Sequence, residues 1–220
     1  MGNGIANDDS VTTANINTIT SLNVSSQNIS DLTGIEDFTS LTSLSCYSNQ
    51  LTSLDVSNNT DLTYLEYINN RLTVLDVSNN TALTYLLCGG NQLTSLDLSN
   101  NTALTNLQCI DNQLTSLDLR NGNNQNLLTF DVTNNPNLTC INVDDAAYST
   151  ANWTDIDAQT SFNEDCSFVV GIKEHTSSKT LIKTLNIMGK ETTFKPNTLL
   201  INVYDDGSVE KAFTKGLLNN

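Results

Sequence analysis

Basic residues are scarce and unevenly placed. Residues 1–172 contain 19 acids, no lysine, and only Arg71 and Arg120, for a net charge of −17. All seven lysines fall within residues 173–220, where five acids leave +2. Nucleic acids and anionic membranes recruit clustered Lys and Arg, so neither suits so acidic a body. Charged residues of both signs reach only 15%, against about a quarter in ordinary domains. No apolar run approaches the roughly 18 residues of a transmembrane helix, so no membrane span is expected. The opening MGNGIANDDS lacks the basic and apolar stretches of a signal peptide.

Catalytic motifs are missing too. G-x-S-x-G, H-E-x-x-H and a P-loop are absent. The single histidine, His175, has no nucleophile or carboxylate at a suggestive spacing. Acid pairs occur at Asp8-Asp9, Asp144-Asp145 and Asp205-Asp206, but adjacency in sequence does not set two carboxylates across a substrate. The expectation is no enzyme, no cofactor and no metal.

What the chain does have is repetition. LTSLDVSNNT at position 51 returns as LTVLDVSNNT at 72 and LTSLDLSNNT at 93. Between these, Leu41-Leu44-Cys46-Asn49 recurs as Leu62-Leu65-Tyr67-Asn70, Leu83-Leu86-Cys88-Asn91 and Leu104-Leu107-Cys109-Asn112. The interval never slips from Leu41 to Leu104, and each period splits into two half-units of form LxxLxLxxN. Positions 4 and 6 of a half-unit lie two apart and share one side of an extended segment. One unit cannot bury that side alone, but stacked units make a continuous core. The Asn at position 9 sits where the chain turns, and its amide is suited to backbone groups of the adjacent coil.

These residues resemble the leucine-rich repeat family, and more narrowly its bacterial, internalin-like subclass in which both half-units carry the pattern. The resemblance covers about residues 19–137. It implies a solenoid of stacked 21-residue coils, mostly β and irregular coil with little helix, carrying short parallel sheets. The first unit, from Ile19 to Ser40, is one residue longer than the three that follow. RNGNNQN stretches a later step, from Leu114 to the start of Leu127-Phe130-Val132-Asn135. Residues 1–18 read as a residual N-terminal segment, and 138–168 as a C-terminal cap whose lone Trp153 lies over the last coil. Cys140 and Cys166 bracket that cap and are expected to form a disulfide, as in secreted repeat proteins. Cys46, Cys88 and Cys109 occupy inward positions and are expected to be buried, reduced and inert, with a Cys88–Cys109 bridge as the lesser alternative.

Residues 169–220 form a different segment, lysine-bearing and β-rich, with an Asp206-Gly207 hairpin signal. NIMGKE and YDDGSVEK together resemble the C-terminal sorting domain of type IX secretion cargo in Bacteroidetes. That resemblance implies the type IX secretion machinery as a partner. It also implies a secreted or outer-membrane surface location, the sequence starting downstream of its signal peptide.

The half-units differ in what they expose. One is nearly constant outside, with files at Asp55, Asp76, Asp97, Asp118 and at Thr52, Thr73, Thr94, Thr115. Asx-type bonds to the following backbone are the expected role of the Asp file, with calcium as the alternative. The other half varies, and stacking should set Tyr64 beside Tyr85, place Ile68 and Ile110 around a dip at Gly89, and expose Leu87. With Tyr47, Glu66, Asn106, Gln108 and Asp111, these form the candidate surface for a protein or glycan ligand. A structural or adhesive surface protein without a discrete ligand, including one that binds ice, is the alternative, and a glycan-processing enzyme a distant third.

Overall fold

The computed structural model describes residues 16–168, 181–186, 190–191, 198–204 and 209–214. His175, the acids Asp8, Asp9, Asp205 and Asp206, and the Asp206-Gly207 turn lie outside them. The chain divides into two compact units, residues 1–169 and 170–220.

The first unit is a leucine-rich-repeat solenoid. Strands β1 (Ser21–Asn23), β2 (Ser43–Ser45), β3 (Tyr64–Glu66) and β4 (Tyr85–Leu87) come from successive variable half-units. A strand from the constant half, β5 (Ser95–Asp97), then alternates with β6 (Asn106–Gln108), β7 (Ser116–Asp118) and β8 (Thr129–Asp131). The strands β9 (Cys140–Asn142) and β10 (Ser161–Asn163) flank the helix α1 (Ala146–Asn152). They assort into two parallel sheets: β1-β2-β3-β4-β6-β8 on the variable side and β5-β7-β9-β10 on the constant side. The period is visible in the register, where Leu44 pairs with Leu65 and Leu65 with Leu86. The stretched step appears as Leu107 opposite Phe130.

Every inward position of the pattern is buried, from Leu41 and Leu44 to Leu138 and Val143. Burying one such leucine contributes about 2 kcal/mol. Tyr67 takes a cysteine position and is fully enclosed, its hydroxyl without a partner among the described residues.

The turn asparagines form the anticipated ladder. Asn70 Nδ2 donates to the carbonyls of Cys46 and Tyr67, both at 3.0 Å, while its Oδ1 accepts from Leu51 N–H at 3.0 Å. Asn91 repeats this arrangement with Tyr67, Cys88 and Leu72. On the constant side the amides still donate, Asn101 Nδ2 to Val77 and Asn80 carbonyls at 3.0 and 2.9 Å. Their acceptors fare differently: Oδ1 of Asn59, Asn80 and Asn101 is buried with no partner among the described residues.

The cysteines require one correction. Cys88 and Cys109 are joined, not reduced, with Cα atoms 4.8 Å apart. Equivalent positions of consecutive coils lie one strand spacing apart, inside the range a disulfide spans. Cys46 is free and buried, because Tyr67 occupies the intervening coil. Burial, with a contribution from Glu66, pushes its thiol up to about 12, which makes it inert.

Cys140 and Cys166 are bonded. Between them Asp145 caps α1, its Oδ1 accepting from Tyr148 N–H at 2.9 Å. Trp153 follows the helix and stacks on Phe130, with ring centroids 4.5 Å apart. Phe162 completes the cluster at 5.6 Å from Trp153. The sequence pattern fades here, but β9 and β10 still extend the constant-side sheet.

The second unit holds an antiparallel sheet of β11 (Leu181–Asn186), β12 (Thr198–Tyr204) and β13 (Val209–Thr214), in that order. No helix among the described residues is long and apolar enough to cross a membrane.

Candidate functional site

On the variable side, alternate residues of each short strand point outward. This brings Tyr64 and Tyr85 into direct register, with ring centroids 5.8 Å apart and planes tilted by 38°. Tyr85 is 43% exposed and Tyr47, at the entrance of the following turn, 39%. Tyr64 is half-buried, and burial, followed by the charge of Glu66, raises its hydroxyl above the ordinary value. Glu66 stands two residues from Tyr64 and accepts a short hydrogen bond from Ser45. Asn106 donates to Thr129 Oγ1 at 2.9 Å across β6 and β8. Gln108, beside it, is partly exposed and has no side-chain partner among the described residues.

Leu87 and Ile110 are placed differently from the expectation. Leu87 is half-buried, not exposed, held between the neighbouring strands. The dip at Gly89 is filled: Ile110 leans over it, so that an added Cβ would meet Ile110 Cγ2 at 2.9 Å. Asp111 occupies a left-handed turn with φ +56°, in file with Ser48, Asn69, Gly90 and Asn134. Asn, Asp and Gly suit that conformation, so the residue type at this position answers first to the turn. Ile68 is half-buried beside these.

The constant side is built from Asx turns. Ser57, Ser78, Ser99 and Arg120 N–H groups donate to Asp55, Asp76, Asp97 and Asp118 at 2.9–3.0 Å. Hydrogen bonding from the Ser57 and Ser78 side chains, followed by these backbone bonds, lowers the carboxyls of Asp55 and Asp76. Arg120 does the same for Asp118, and its guanidinium also reaches the Glu164 carbonyl of the cap. Among the described residues no three His, Cys, Asp or Glu side chains converge to hold a metal. In the Thr file, Thr115 Oγ1 donates to the Thr94 carbonyl at 3.1 Å.

Two concavities carry further residues. An open groove of about 720 Å³ lies on the constant side, lined by Asp31, Leu32, Thr52, Asp55, Val74 and Asp76. A second, of about 460 Å³, lies where β6 and β8 meet the cap. Leu128 lines it and is absent from the candidate set, although its place in the Thr slot after the stretched step is a signal in the sequence. The chain is otherwise Thr42, Thr63, Thr84 and Thr105 at this position, each hydroxyl bonded to the preceding coil's backbone. Leu128 breaks the file and is 82% exposed.

No family model matches the chain. Internalin J of Listeria monocytogenes serotype 4b (strain F2365) is 44% identical over 52 residues, 24% of this chain and 6% of that protein. The solved functional domain of InlJ from Listeria monocytogenes, which includes a cysteine ladder, superposes with a TM-score of 0.53. It is 42% identical over 60% of this chain and 32% of that one. The internalin InlF of Listeria monocytogenes strain 4b F2365 is 25% identical over 66% of this chain and 42% of its own, at a TM-score of 0.49. The chain thus spans less than half the length of these relatives. The fold is an internalin-like leucine-rich-repeat fold.

Proposed function

We propose that this chain is a secreted or cell-surface binding module that recognises a protein or glycan through the variable face of its repeats. The observation that carries the reading is the Tyr64–Tyr85 pair, side by side on a six-stranded sheet. Tyr47 and the polar side chains of Glu66, Asn106 and Gln108 lie near by. Tyrosines offer large contact area with few rotatable bonds, and aromatic anchors within a polar rim are the usual anatomy of a recognition surface. Two disulfides support an oxidising compartment, and so does the internalin likeness. Within the same reading, residues 169–220 serve as the signal for the type IX secretion machinery.

The experiment is a pull-down and glycan-array comparison of the wild type with the Tyr64→Ala/Tyr85→Ala variant. Loss of the captured species with an unchanged melting temperature supports the proposal. Retention of every species in the double variant sinks it.

A further inference from the structure

We infer that the concavity between β8 and the C-terminal cap is a second binding site, one for a neutral saccharide. The inference goes beyond the tyrosine pair, whose strands β3 and β4 lie three and two strands from β8, on the order of 10–15 Å along the sheet. It can hold whether or not Tyr64 and Tyr85 bind anything.

The walls come from two parts of the molecule. The sheet contributes Gln108 from β6, and Leu128, Thr129 and Asp131 from the β8 segment; the cap contributes Tyr148 and Asp155. The space is about 460 Å³, within the roughly 300–1,000 Å³ of small-ligand sites. The framework is rigid. Trp153 is wedged against Phe130, Tyr148 and Phe162, and the Val132 N–H is bonded to the Asp155 carbonyl at 3.0 Å. The Tyr148 hydroxyl reaches the Gln125 carbonyl at 3.3 Å.

The chemistry of the lining selects the ligand. Gln108, Gln125 and Asp155 make no side-chain hydrogen bond among the described residues. Amides both donate and accept, and carboxylates accept from paired hydroxyls; a sugar's vicinal hydroxyls, each both donor and acceptor, match that set. Leu128 and Tyr148 supply the apolar wall on which the C–H face of a sugar ring rests. Among the described residues no Lys or Arg lines the space, and Asp131 and Asp155 set a negative field. Phosphorylated, sulfated and sialylated ligands are therefore disfavoured.

Trp153 is the only tryptophan of the chain and lines the space, so its emission reports occupancy directly. The test titrates the full chain, disulfides intact, with maltopentaose, cellopentaose, mannopentaose and chitopentaose, and with sialyllactose as the anionic control. At least one neutral oligosaccharide should shift the emission saturably, and sialyllactose should not. Gln125→Ala and Asp155→Ala should each weaken that binding about tenfold, while melting temperature and Tyr64→Ala/Tyr85→Ala titrations stay as in the wild type. No saturable shift with any neutral probe overturns the inference. So does a shift that survives the Gln125→Ala/Asp155→Ala double variant, or equal binding of sialyllactose. If Asp155→Ala unfolds the cap, Asp155→Asn, which keeps the backbone bond to Val132, decides the matter.

Discussion

On the variable side six strands pair from β1 to β8 without a gap, whereas on the constant side pairing begins only at β5. Residues 53–55 and 74–76, the counterparts of β5 in the preceding coils, form no strand, and the larger groove opens there with Val74 64% exposed. The asparagines follow the same division. Variable-side Oδ1 atoms accept the N–H of Leu51, Leu72, Leu93 and Leu114, while three constant-side Oδ1 atoms are buried unpaired among the described residues. The half-unit with the more monotonous sequence is thus the less completely bonded one. Constancy of outward residues comes from the Asx turn that each Asp makes with the residue two ahead, a local device that each coil repeats by itself. The continuous sheet comes from the backbone, which leaves its outward side chains free to vary.

This division can be broken first through the ladder. Asn91→Ala strands the buried Leu72 N–H and should cost about 3–4 kcal/mol in urea unfolding. Asn101→Ala removes donations to carbonyls that keep other partners, Val77 to Asn80 N–H and Asn80 to Leu83 N–H, and should cost about 1–2 kcal/mol. Equal losses would erase the distinction. Next, the Cys88→Ala/Cys109→Ala variant should lose about 3 kcal/mol, the value for closing a loop of this size. Under graded reductant, mass spectrometry after alkylation should find the partly exposed Cys166 modified before the buried Cys88 and Cys109. Gly90→Ala comes third. At φ +65° its new Cβ would collide with Asn69 Oδ1, so a loss of about 1–3 kcal/mol is expected in the same unfolding measurement. The smallest effect lies on the constant side. Asp55 and Asp76 have folded values below the ordinary 3.8 because Ser57 and Ser78 hydrogen-bond them. Their contribution is present above that value and lost as pH falls through the lower, folded one. Thermal melts in descending pH should show a slight acid destabilisation below about pH 4 that Asp55→Asn/Asp76→Asn reduces.

Much of this architecture is legible in the sequence because period and burial coincide. The leucine spacing alone names the core, the Asn at each turn names the ladder, and Cys140 and Cys166 bracket the cap they close. The Cys88–Cys109 bond is within reach as well, since equal positions one period apart must stack at strand spacing. The sequence does not force it, because an inward cysteine also packs acceptably as a small hydrophobe. Gly89 misleads for a local reason: the side chain of Ile110, from the next coil, fills the space beside it. The space beside Leu128 depends on a tertiary event, the approach of α1 and Trp153 to the edge of β8, which no periodicity encodes.

The most direct test of the variable face as the recognition surface sets two folded double variants side by side. Tyr64→Ala/Tyr85→Ala alters the variable face; Val74→Ser/Asp97→Asn alters the constant one. Both should keep the wild-type circular dichroism and melting temperature. In a quantitative pull-down and glycan array, scored apart from the neutral oligosaccharides held at the cap, the constant-face variant should retain the wild-type ligands and the tyrosine variant should lose them. The opposite pattern, or equal retention by both, would contradict the account.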